Sequence, residues 1–424
     1  SLDMTYKFKT IGSFINQISV RNVDLKVKDL RGININKQFI PSVANTIGTD
    51  LSKYKIVQKN QFAYNPMHVG RDEVLPISLL KDTDKVIVSP AYIVFEILNK
   101  ELVIPEYLML WMQRSEFDRN AWFTTDSSVR GGLAWEDFCE LKIPLRDIEK
   151  QKKIVQEYEV ITNRINLNET IINRLEETTQ NLFKKWFIEF DFPVVSKSLN
   201  SNEDLILKGK PYKSSGGKLE YSKELGLDIP IGWKIYTLKQ LTRIVDNRGK
   251  TPPTEKDSTN YPLIEIASLK SDNRLIDYKV CKKFVSFDTY SNWFRSGHPK
   301  LFSILFSTVG SLAQIKCFTK NKGCIAQNIV SFNTIDEFPF PLFLYQRIIN
   351  NINEILSYEI GSVQSSLKVS QFIEVKLLIP ETRILEIFEN KAKNLTLSIN
   401  HIGNMTSALV ETKKFLLEKM AAQD

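Results

Sequence analysis

One segment decides the fold, and it is a run without proline or glycine: LRDIEKQKKIVQEYEVITNRINLNETIINRLEETTQNLFKKWFI (145–188). Apolar residues recur along it at steps of three, four or seven, and Asn168 and Thr179 fill the gaps in phase. The stripe consists of Ile154, Tyr158, Ile161, Ile165, Ile172, Leu175, Leu182 and Trp186. A heptad pattern of this length predicts one long helix that pairs with another helix.

A second copy of this pattern ends the chain. Its stripe consists of Phe388, Ala392, Leu395, Ile399, Ile402, Leu409, Leu416 and Met420, with Thr406 and Lys413 as polar exceptions. Gly403 weakens this helix locally by about 1 kcal/mol relative to alanine. Each helix spans about 60 Å, and its stripe needs a partner in water. We expect the two helices to form a coiled coil with Asn168 setting the register, and a homodimeric coiled coil is the alternative.

Both helices belong to a longer internal repeat. A shift of 234 residues aligns the following pairs: Pro105 with Pro339, Leu108 with Leu342, Glu140 with Glu374, Leu175 with Leu409 and Lys185 with Lys419. Near the start of the repeat the shift is 227, which aligns Arg21 with Arg248. The ends of the two copies are alike, whereas their centres, about 30–100 and 255–335, match poorly. We interpret this as one frame used twice on two different targets, with internal pseudo-two-fold symmetry. An old duplication without division of labour is the alternative.

The regions around the helices predict a mixed α/β (α+β) fold. Runs such as KVIVSPAYIVFEI (85–97) and CIAQNIVSF (324–332) are typical of strands, and PEYLMLWMQRSEF (105–117) is typical of short helices. The predicted organisation is a globular domain at 1–148, a helix at 149–190, a linker at 191–232, a second domain at 233–382 and a helix at 383–424. Phe190, Phe192 and Tyr212 are expected to pack parts of the linker down.

Composition excludes several classes of protein. The 424 residues include 57 Lys and Arg against 49 Asp and Glu, which gives a net charge of +8. This excess permits a polyanionic partner without requiring one. No apolar run approaches the roughly 20 residues that span a bilayer, and no signal-peptide pattern opens the sequence. The four cysteines form no C-x-x-C pair, so reduced thiols and a cytoplasmic location are expected.

Motifs for chemistry are nearly absent. No nucleotide-binding glycine loop and no nucleophile elbow occurs. Glu140-x-Lys142 and Glu374-x-Lys376 resemble part of a nuclease motif, although an exposed strand face predicts the same alternation. Asn65-Pro66 resembles part of a methyltransferase loop, with a simple turn as the alternative. Cys317, Cys324 and His298 fit no common zinc spacing, so neither a metal site nor a catalytic residue is predicted.

Polar and basic clusters in the divergent centres are the remaining candidates. Arginine and lysine suit phosphates and guanine edges, whereas asparagine and glutamine suit adenine edges. The candidate DNA-binding residues are His68, Arg71, Ser128, Arg130, Arg248, Lys250, Thr251, Ser311, Gln314, Gln327 and Asn328.

Four segments carry a resemblance to a known family. They are FCELKIPLRDIEKQKKIV (138–155), NLFKKWFIEFDFP (181–193), GKPYKSSGGKLEYSKELGLDIPIGW (209–233) and YNPMHVG (64–70). Along essentially its whole length the chain resembles the specificity subunit of Type I restriction–modification enzymes. The second copy departs from the family pattern after Pro380, where ETRILEIFEN lacks the Glu-x-Gln of the first copy.

The resemblance implies a function and a set of partners. Each globular region would be a target-recognition domain that reads one half of a split, asymmetric double-stranded DNA sequence. The two helices would pair antiparallel and act as a spacer. The chain would have no catalytic activity and no cofactor of its own. It would bind two methyltransferase subunits, which use S-adenosylmethionine, and restriction subunits, which use ATP and Mg²⁺.

The helices also carry apolar residues off the stripe, which either pack on the flanking domains or face another protein. In the first helix these are Val155, Val160, Leu167, Ile171, Phe183 and Phe187. We expect this second face, with Phe183 and Phe187, to bind the methyltransferase subunits. The residues predicted for the coiled coil and for partner binding are Ile154, Ile161, Ile165, Leu175, Leu182, Phe183, Trp186, Phe187, Leu395, Ile399, Leu409 and Leu416. The alternatives are a coiled-coil scaffold without sequence-specific DNA binding, and a metal-dependent nuclease.

Overall fold

The computed structural model of the chain describes residues 7–42, 48–68, 73–125, 132–195, 208–249, 251–320, 322–360 and 366–422. The chain divides into two compact units. Unit 1 comprises Ser1–Asn166 and Ser407–Asp424, and unit 2 comprises Leu167–Thr406. Both units mix strands with helices, which confirms the predicted α/β class.

Unit 1 contains ten strands and three short helices in its described part. The strands are β1 (Lys7–Thr10), β2 (Ile15–Ile18), β3 (Arg31–Ile33), β4 (Phe39–Pro41), β5 (Lys55–Gln58), β6 (Phe62–Tyr64), β7 (Ile77–Leu79), β8 (Lys85–Val88), β9 (Ile93–Ile97) and β10 (Lys142–Leu145). The helices are α1 (Pro105–Met112), α2 (Ser115–Thr124) and α3 (Trp135–Glu140). Four strands form an antiparallel sheet in the order β2-β9-β6-β7, and pairs form between β1 and β10, β3 and β4, and β5 and β8.

The first long helix, α4 (Ile148–Phe187), begins at the end of β10. Asp147 caps it, because its carboxylate accepts the backbone N–H of Lys150 at 2.9 Å. The final helix, α10 (Thr382–Ala422), likewise follows a strand that pairs with the first strand of its own domain. We call α4 and α10 together the helix pair.

Unit 2 repeats the frame of unit 1. Its strands are β11 (Leu219–Ser222), β12 (Leu227–Pro230), β13 (Lys234–Thr237), β14 (Thr242–Asp246), β15 (Tyr261–Ile264), β16 (Phe284–Val285), β17 (Ile304–Ser307), β18 (Ile315–Cys317), β19 (Cys324–Ile325), β20 (Ile329–Thr334), β21 (Glu359–Ile360), β22 (Ser366–Leu367) and β23 (Lys376–Ile379). Its helices are α5 (Leu238–Leu241), α6 (Phe287–Asn292), α7 (Pro341–Asn350), α8 (Ile352–Leu356) and α9 (Val369–Phe372). The main sheet has the order β14-β20-β17-β18, and β13 pairs with β23 as β1 pairs with β10.

The helices of the pair run antiparallel, as expected. Within unit 1, Ile154 and Tyr158 near the start of α4 pack in one core with Leu417 and Met420 at the end of α10. Within unit 2, Trp186 near the end of α4 contacts Phe388 near the start of α10, with ring centroids 6.1 Å apart. None of the helices in the described ranges is both long and apolar enough to cross a membrane.

The described parts of the segment between α4 and β13 pack within unit 2 through aromatic rings. Phe192 stacks on Tyr212 at 4.6 Å and lies 5.2 Å from Trp233, while Phe190 lies 5.4 Å from Trp233. These contacts confirm that Phe190, Phe192 and Tyr212 hold this segment in place. It also contains the hairpin of β11 and β12, which the turn-rich composition did not predict.

Candidate nucleic-acid interface

Several predicted DNA-binding residues of unit 2 lie at one end of its main sheet. Strand β14 ends at Asp246 opposite Val330, near the start of β20, and β17 ends at Ser307 opposite Ile329. The loops after β14, between β17 and β18, and before β20 must therefore meet at this end. We call it the loop end of the sheet. The described candidates that lie there are Arg248, Thr251, Ser311, Gln314, Gln327 and Asn328.

Hydrogen bonds fix two of these loops against each other. The hydroxyl of Ser307 accepts the N–H of Gln314 at 2.8 Å and donates to the carbonyl of Ser311. The N–H of Thr308 donates to the carbonyl of Asn328 at 3.0 Å. Ala313 has a φ of 55°, a left-handed conformation that costs energy for a residue with a Cβ. These hydrogen bonds hold the loop between β17 and β18 against the loop before β20.

Two neighbouring cavities open between these loops. One, of about 350 Å³, is lined by Thr251, Gln327 and Asn328 among others, with Phe294 as an apolar wall. The second, of about 450 Å³, is lined by Asp246, Asn247, Arg248, Gly249, Trp293, Phe294, Arg295 and Ser296. Asn247 lines both, and its buried amide nitrogen Nδ2 has no hydrogen-bond acceptor within the described part of the chain.

The charges at this end are mixed. Arg248 donates from Nε to both carboxylate oxygens of Asp246, at 3.0 and 2.8 Å, so part of its charge is compensated. Arg295 is exposed beside Trp293, whose surface is 38% exposed. Burial lowers the pKa of His298, so this ring adds no charge at neutral pH. Cationic side chains next to amide side chains and an exposed aromatic ring suit contact with both phosphates and base edges.

Unit 1 has the corresponding loop end. Strand β2 ends at Ile18 opposite Val94, and β6 ends at Tyr64 opposite Ile93. The loop between β6 and β7, which carries His68 and Arg71, is therefore the counterpart of the Ser311–Gln314 loop. The N–H of Leu133 donates to the carbonyl of Pro66 at 3.1 Å, so Leu133 lies beside the start of this loop. Arg71, Ser128, Arg130, Lys250 and the side chain of His68 lie outside the described residues.

Sequence reasoning missed several residues at these ends. In unit 1, the backbone of Arg21 forms an isolated antiparallel β-bridge with Lys55. The Nζ of Lys55 donates to the carbonyl of Tyr92, just before β9, at 2.6 Å. Burial, followed by the nearby charge of Arg21, lowers the pKa of Lys55. The repeat had already aligned Arg21 with Arg248, and that signal was enough to select it. Trp293 and Arg295 gave no comparable signal, because the centres of the two copies do not align.

Comparison with known proteins assigns the chain to a family. Residues 15–177 and 230–402 match the family model of the Type I restriction modification DNA specificity domain, and together these two copies cover more than half of the sequence. The chain belongs to this family. It is a DNA sequence-specificity subunit with two recognition domains, as the sequence predicted.

Individual relatives of this specificity subunit agree with the assignment. It is 22% identical over 415 residues to the Type I restriction enzyme HindI specificity subunit of Haemophilus influenzae, an alignment covering 86% of each protein. It is 22% identical over 344 residues to the MjaIX specificity subunit of Methanocaldococcus jannaschii, covering 76% of this chain and 70% of that protein. The chain superposes on the crystal structure of the Type I system S subunit from M. genitalium with a TM-score of 0.57 at 11% identity. The match covers 99% of this chain and 96% of that chain, so the two share a fold.

The helix pair of this specificity subunit contains a polar contact near its middle. The amide of Asn168 donates to the hydroxyl of Thr406 at 3.1 Å, so two polar interruptions of the heptad stripes meet. The second exception, Lys413, lies over the ring of Tyr158 at 4.7 Å. The buried stripe residues are Ile165, Ile172, Trp186, Phe388, Ala392, Ile399 and Met420. The partly buried ones are Ile154, Tyr158, Ile161, Leu175, Leu182, Leu395, Ile402, Leu409 and Leu416.

Phe183 and Phe187 do not form an exposed face. They are 3% and 1% exposed, and the ring of Phe187 lies 4.9 Å from Phe343 and 5.0 Å from Phe388. The prediction that they offer a docking surface is wrong, because aromatic residues of α7 and α10 enclose them. The off-stripe residues of α4 that do remain exposed are Val160, at 62%, and Leu167, at 50%.

The Glu-x-Lys pairs lie at helix-to-strand junctions and not within strands. Glu140 is the last residue of α3 and Lys142 the first of β10. In the second copy, Glu374 forms an ion pair with Lys239 (N···O distance 3.2 Å). Lys376 forms an ion pair with Glu224 (2.9 Å). Over the part of the chain that the structure describes, no three His, Cys, Asp or Glu residues are placed to hold a metal ion. Burial raises the thiol pKa of Cys317 and of Cys324 to about 12.

Proposed function

We propose that each recognition domain reads one half of a split DNA target with the loop end of its main sheet. The observation that supports this most is the convergence of separately predicted polar residues at the loop end of unit 2. Gln327, Asn328 and Gln314 offer amide groups to base edges, while Arg248 and Arg295 offer charge to phosphates. Because the loops of the two units differ, the two half-sites differ and the target is asymmetric.

We further propose that the helix pair sets the distance between the half-sites and binds two methyltransferase subunits. These partners supply S-adenosylmethionine and the methyl transfer, restriction subunits supply ATP-driven, Mg²⁺-dependent cleavage, and the chain itself is not catalytic. The complex would work in the cytoplasm, where the DNA lies. The docking surface would use exposed apolar side chains of the helices, which include Val160, Leu167, Leu397, Val410 and Phe415.

Methylation mapping tests the proposal. The chain is co-expressed with its cognate methyltransferase subunit, and modified adenines are sequenced genome-wide. We expect a split motif with an unread gap of fixed length. Gln327→Ala should relax only the second half, by about 1–3 kcal/mol of base discrimination. Exchange of residues 1–145 for another family member's domain should change only the first half. Methylation that is independent of the chain would contradict the proposal.

A matched pair of arginine variants separates phosphate binding from general charge loss. Arg248 lies just beyond the loop end of β14, whereas Arg243 is exposed near the opposite end of the same strand. Arg248→Ala should lower the slope of log affinity against log salt by about one unit, and Arg243→Ala should leave it unchanged. A scaffold would show no salt slope, and a nuclease would cut DNA with divalent metal in the absence of partners.

A further inference from the structure

A buried arginine joins unit 2's recognition domain to both long helices. Arg274 is 1% exposed. Its Nε and Nη2 donate to the carboxylate of Glu176 on α4 at 2.8 and 2.6 Å, and its Nη1 donates to the hydroxyl of Thr396 on α10 at 2.5 Å. The guanidinium also lies 5.2 Å from the ring centroid of Tyr345. We call these three residues, Arg274, Glu176 and Thr396, the Arg274 anchor.

Two further contacts follow the same face of α10. Leu275 packs on Gly403 so closely that a Cβ at that glycine would lie 2.4 Å from the leucine Cδ1. The hydroxyl of Thr319 donates to the side chain of Asn400 at 2.9 Å. Positions 396, 400 and 403 are four and three residues apart, which places them on one side of the helix. The glycine that weakens α10 thus lies where the domain approaches it most closely.

The anchor is connected directly to the main sheet. The carbonyl of Arg274 accepts the N–H of Cys317 in β18 at 2.8 Å. The Nζ of Lys316, also in β18, donates to the carbonyls of Ser271 and Asn273. Strand β18 is an edge strand of the sheet whose loop end carries the candidate DNA-binding residues, so the anchor and that loop end belong to one hydrogen-bonded sheet.

The chemistry of the anchor favours one geometry. Burial would lower the pKa of Arg274, but the hydrogen bonds and charge of Glu176 raise it above its ordinary value, so the residue stays charged. A planar guanidinium bound through two nitrogens to one carboxylate restricts both distance and angle. A buried ion pair is weak evidence for added stability, whereas the selection of one arrangement over others fits this two-nitrogen geometry.

Unit 1 has no counterpart of this anchor among its described residues. At the shift of 234, Thr396 corresponds to Thr162, whose buried hydroxyl has no hydrogen-bond partner there. Gly403 corresponds to Glu169, and Glu176 corresponds to Val410, which is 42% exposed.

The described part of unit 1 does contain a buried ion pair. Lys37 contacts Asp118 at 2.6 Å, and Asp118 also accepts the N–H of Leu75 at 3.0 Å. All three residues belong to the domain and not to either long helix. This pair therefore provides a matched control for the loss of buried charge.

We propose that Arg274 is a positioning residue that fixes the loop end of unit 2 on the helix pair and so makes the gap between the half-sites strict. This rests on the proposed function, because it assumes that both loop ends bind one DNA molecule. Adding one base pair to the gap moves a half-site by about 3.4 Å and rotates it by about 35°. The short hydrogen bonds of the anchor cannot follow such a displacement.

The test uses the full complex of this chain with its methyltransferase subunits. Methyl transfer is measured on duplexes carrying the mapped target, and on duplexes whose gap is one base pair longer or shorter. The variants are Glu176→Gln, which keeps the side-chain volume, and Arg274→Lys, which keeps the charge but loses the fork. Gly403→Ala displaces Leu275 and changes no charged residue. It replaces either polar variant if that variant fails to fold. Asp118→Asn in unit 1 is the control.

We expect the anchor variants to lower the penalty for a wrong gap about tenfold, the equivalent of one charge-assisted hydrogen bond, with both half-site sequences still required. Asp118→Asn should leave the gap penalty unchanged. An unchanged gap penalty in folded anchor variants overturns the proposal, as does a loss of second-half specificity at a constant gap penalty. Failure of the proposed function is a separate result, because the wild-type complex would then select no split target.

Discussion

The two halves of the helix pair contact their recognition domains through different residues at equivalent positions. In unit 2, α10 places Thr396, Asn400 and Gly403 against the domain, and a buried arginine reaches across to α4. The equivalent face of α4 carries Thr162, Asn166 and Glu169. Glu169, at the position of the glycine, is exposed. The main four-stranded sheet nevertheless has an equivalent strand order in both units.

This comparison shows which features a duplication preserves. Strand order depends on buried alternating positions and on the β1–β10 and β13–β23 pairs, and these tolerate many apolar substitutions. An ion pair such as Arg274 with Glu176 needs both partners at once, so one substitution removes it. The frame therefore remains after the specific polar contacts have changed.

The largest expected effect comes from leaving one charge of the anchor buried and unpaired. Arg274→Met should lower the free energy of unfolding of unit 2 by about 3–5 kcal/mol. The double variant Arg274→Met with Glu176→Leu should recover most of this loss, because no charge is then left without its partner. Hydrogen exchange of the β20 amides measures both. No recovery in the double variant would show that packing, and not charge, holds the domain.

A smaller effect on stability is expected from the side chains that cap α1 in unit 1 and α7 in unit 2. In unit 1 the neutral side chain of Gln151 accepts the N–H of Ile104 at the start of α1. In unit 2 the carboxylate of Glu389 accepts the N–H groups of Leu342 and Phe343 at the start of α7, each at 2.9 Å. Burial raises the pKa of Glu389 to about 7 from 4.5, although these hydrogen bonds oppose the shift.

The sign of the pH effect follows from this raised pKa. The folded state binds the proton more tightly, so the stabilising contribution is complete below pH 4.5 and is lost as the pH rises through about 7. Relative to Glu389→Gln, wild-type unit 2 should lose about 2 kcal/mol of stability between about pH 5 and about pH 8. Thermal unfolding across this range measures the difference, with Gln151→Ala as the control that should add no pH dependence. Parallel curves for the wild type and Glu389→Gln would contradict the assignment.

A third comparison, of similar size, uses the two equivalent threonines. Thr396→Val removes a hydroxyl that binds a charged guanidinium and should cost about 1.5–3 kcal/mol. Thr162→Val removes a buried hydroxyl without a partner and should be neutral or slightly stabilising. Melting temperatures of the two variants test this directly, and equal losses would show that the two helix faces are not so different.

The sequence predicted features with local or periodic causes. The heptad stripes gave both helices, Asn168 was expected to set register and meets Thr406, and the repeat predicted two similar sheets. The apolar runs 85–97 and 324–332 contain the strands expected of them.

Features that depend on distant partners were not predicted. Arg274 and Glu176 are 98 residues apart, and neither stands out in its own segment. Phe183 and Phe187 were assigned to an exposed face because helical spacing cannot tell which neighbouring domain covers them. The reason for Gly403 also became apparent only with Leu275 beside it.

The division of the Arg274 anchor along the chain has a consequence for building new specificities by recombination. A crossover that transplants residues 233–382 carries Arg274 but leaves Glu176 and Thr396 behind in the recipient. A chimaera made this way inherits an arginine whose carboxylate belongs to another parent. Such hybrids should work when the recipient supplies an acid at 176 and a hydroxyl at 396. Among its described residues the first domain has no buried arginine held by both helices, so its exchange should depend less on such a charged pair.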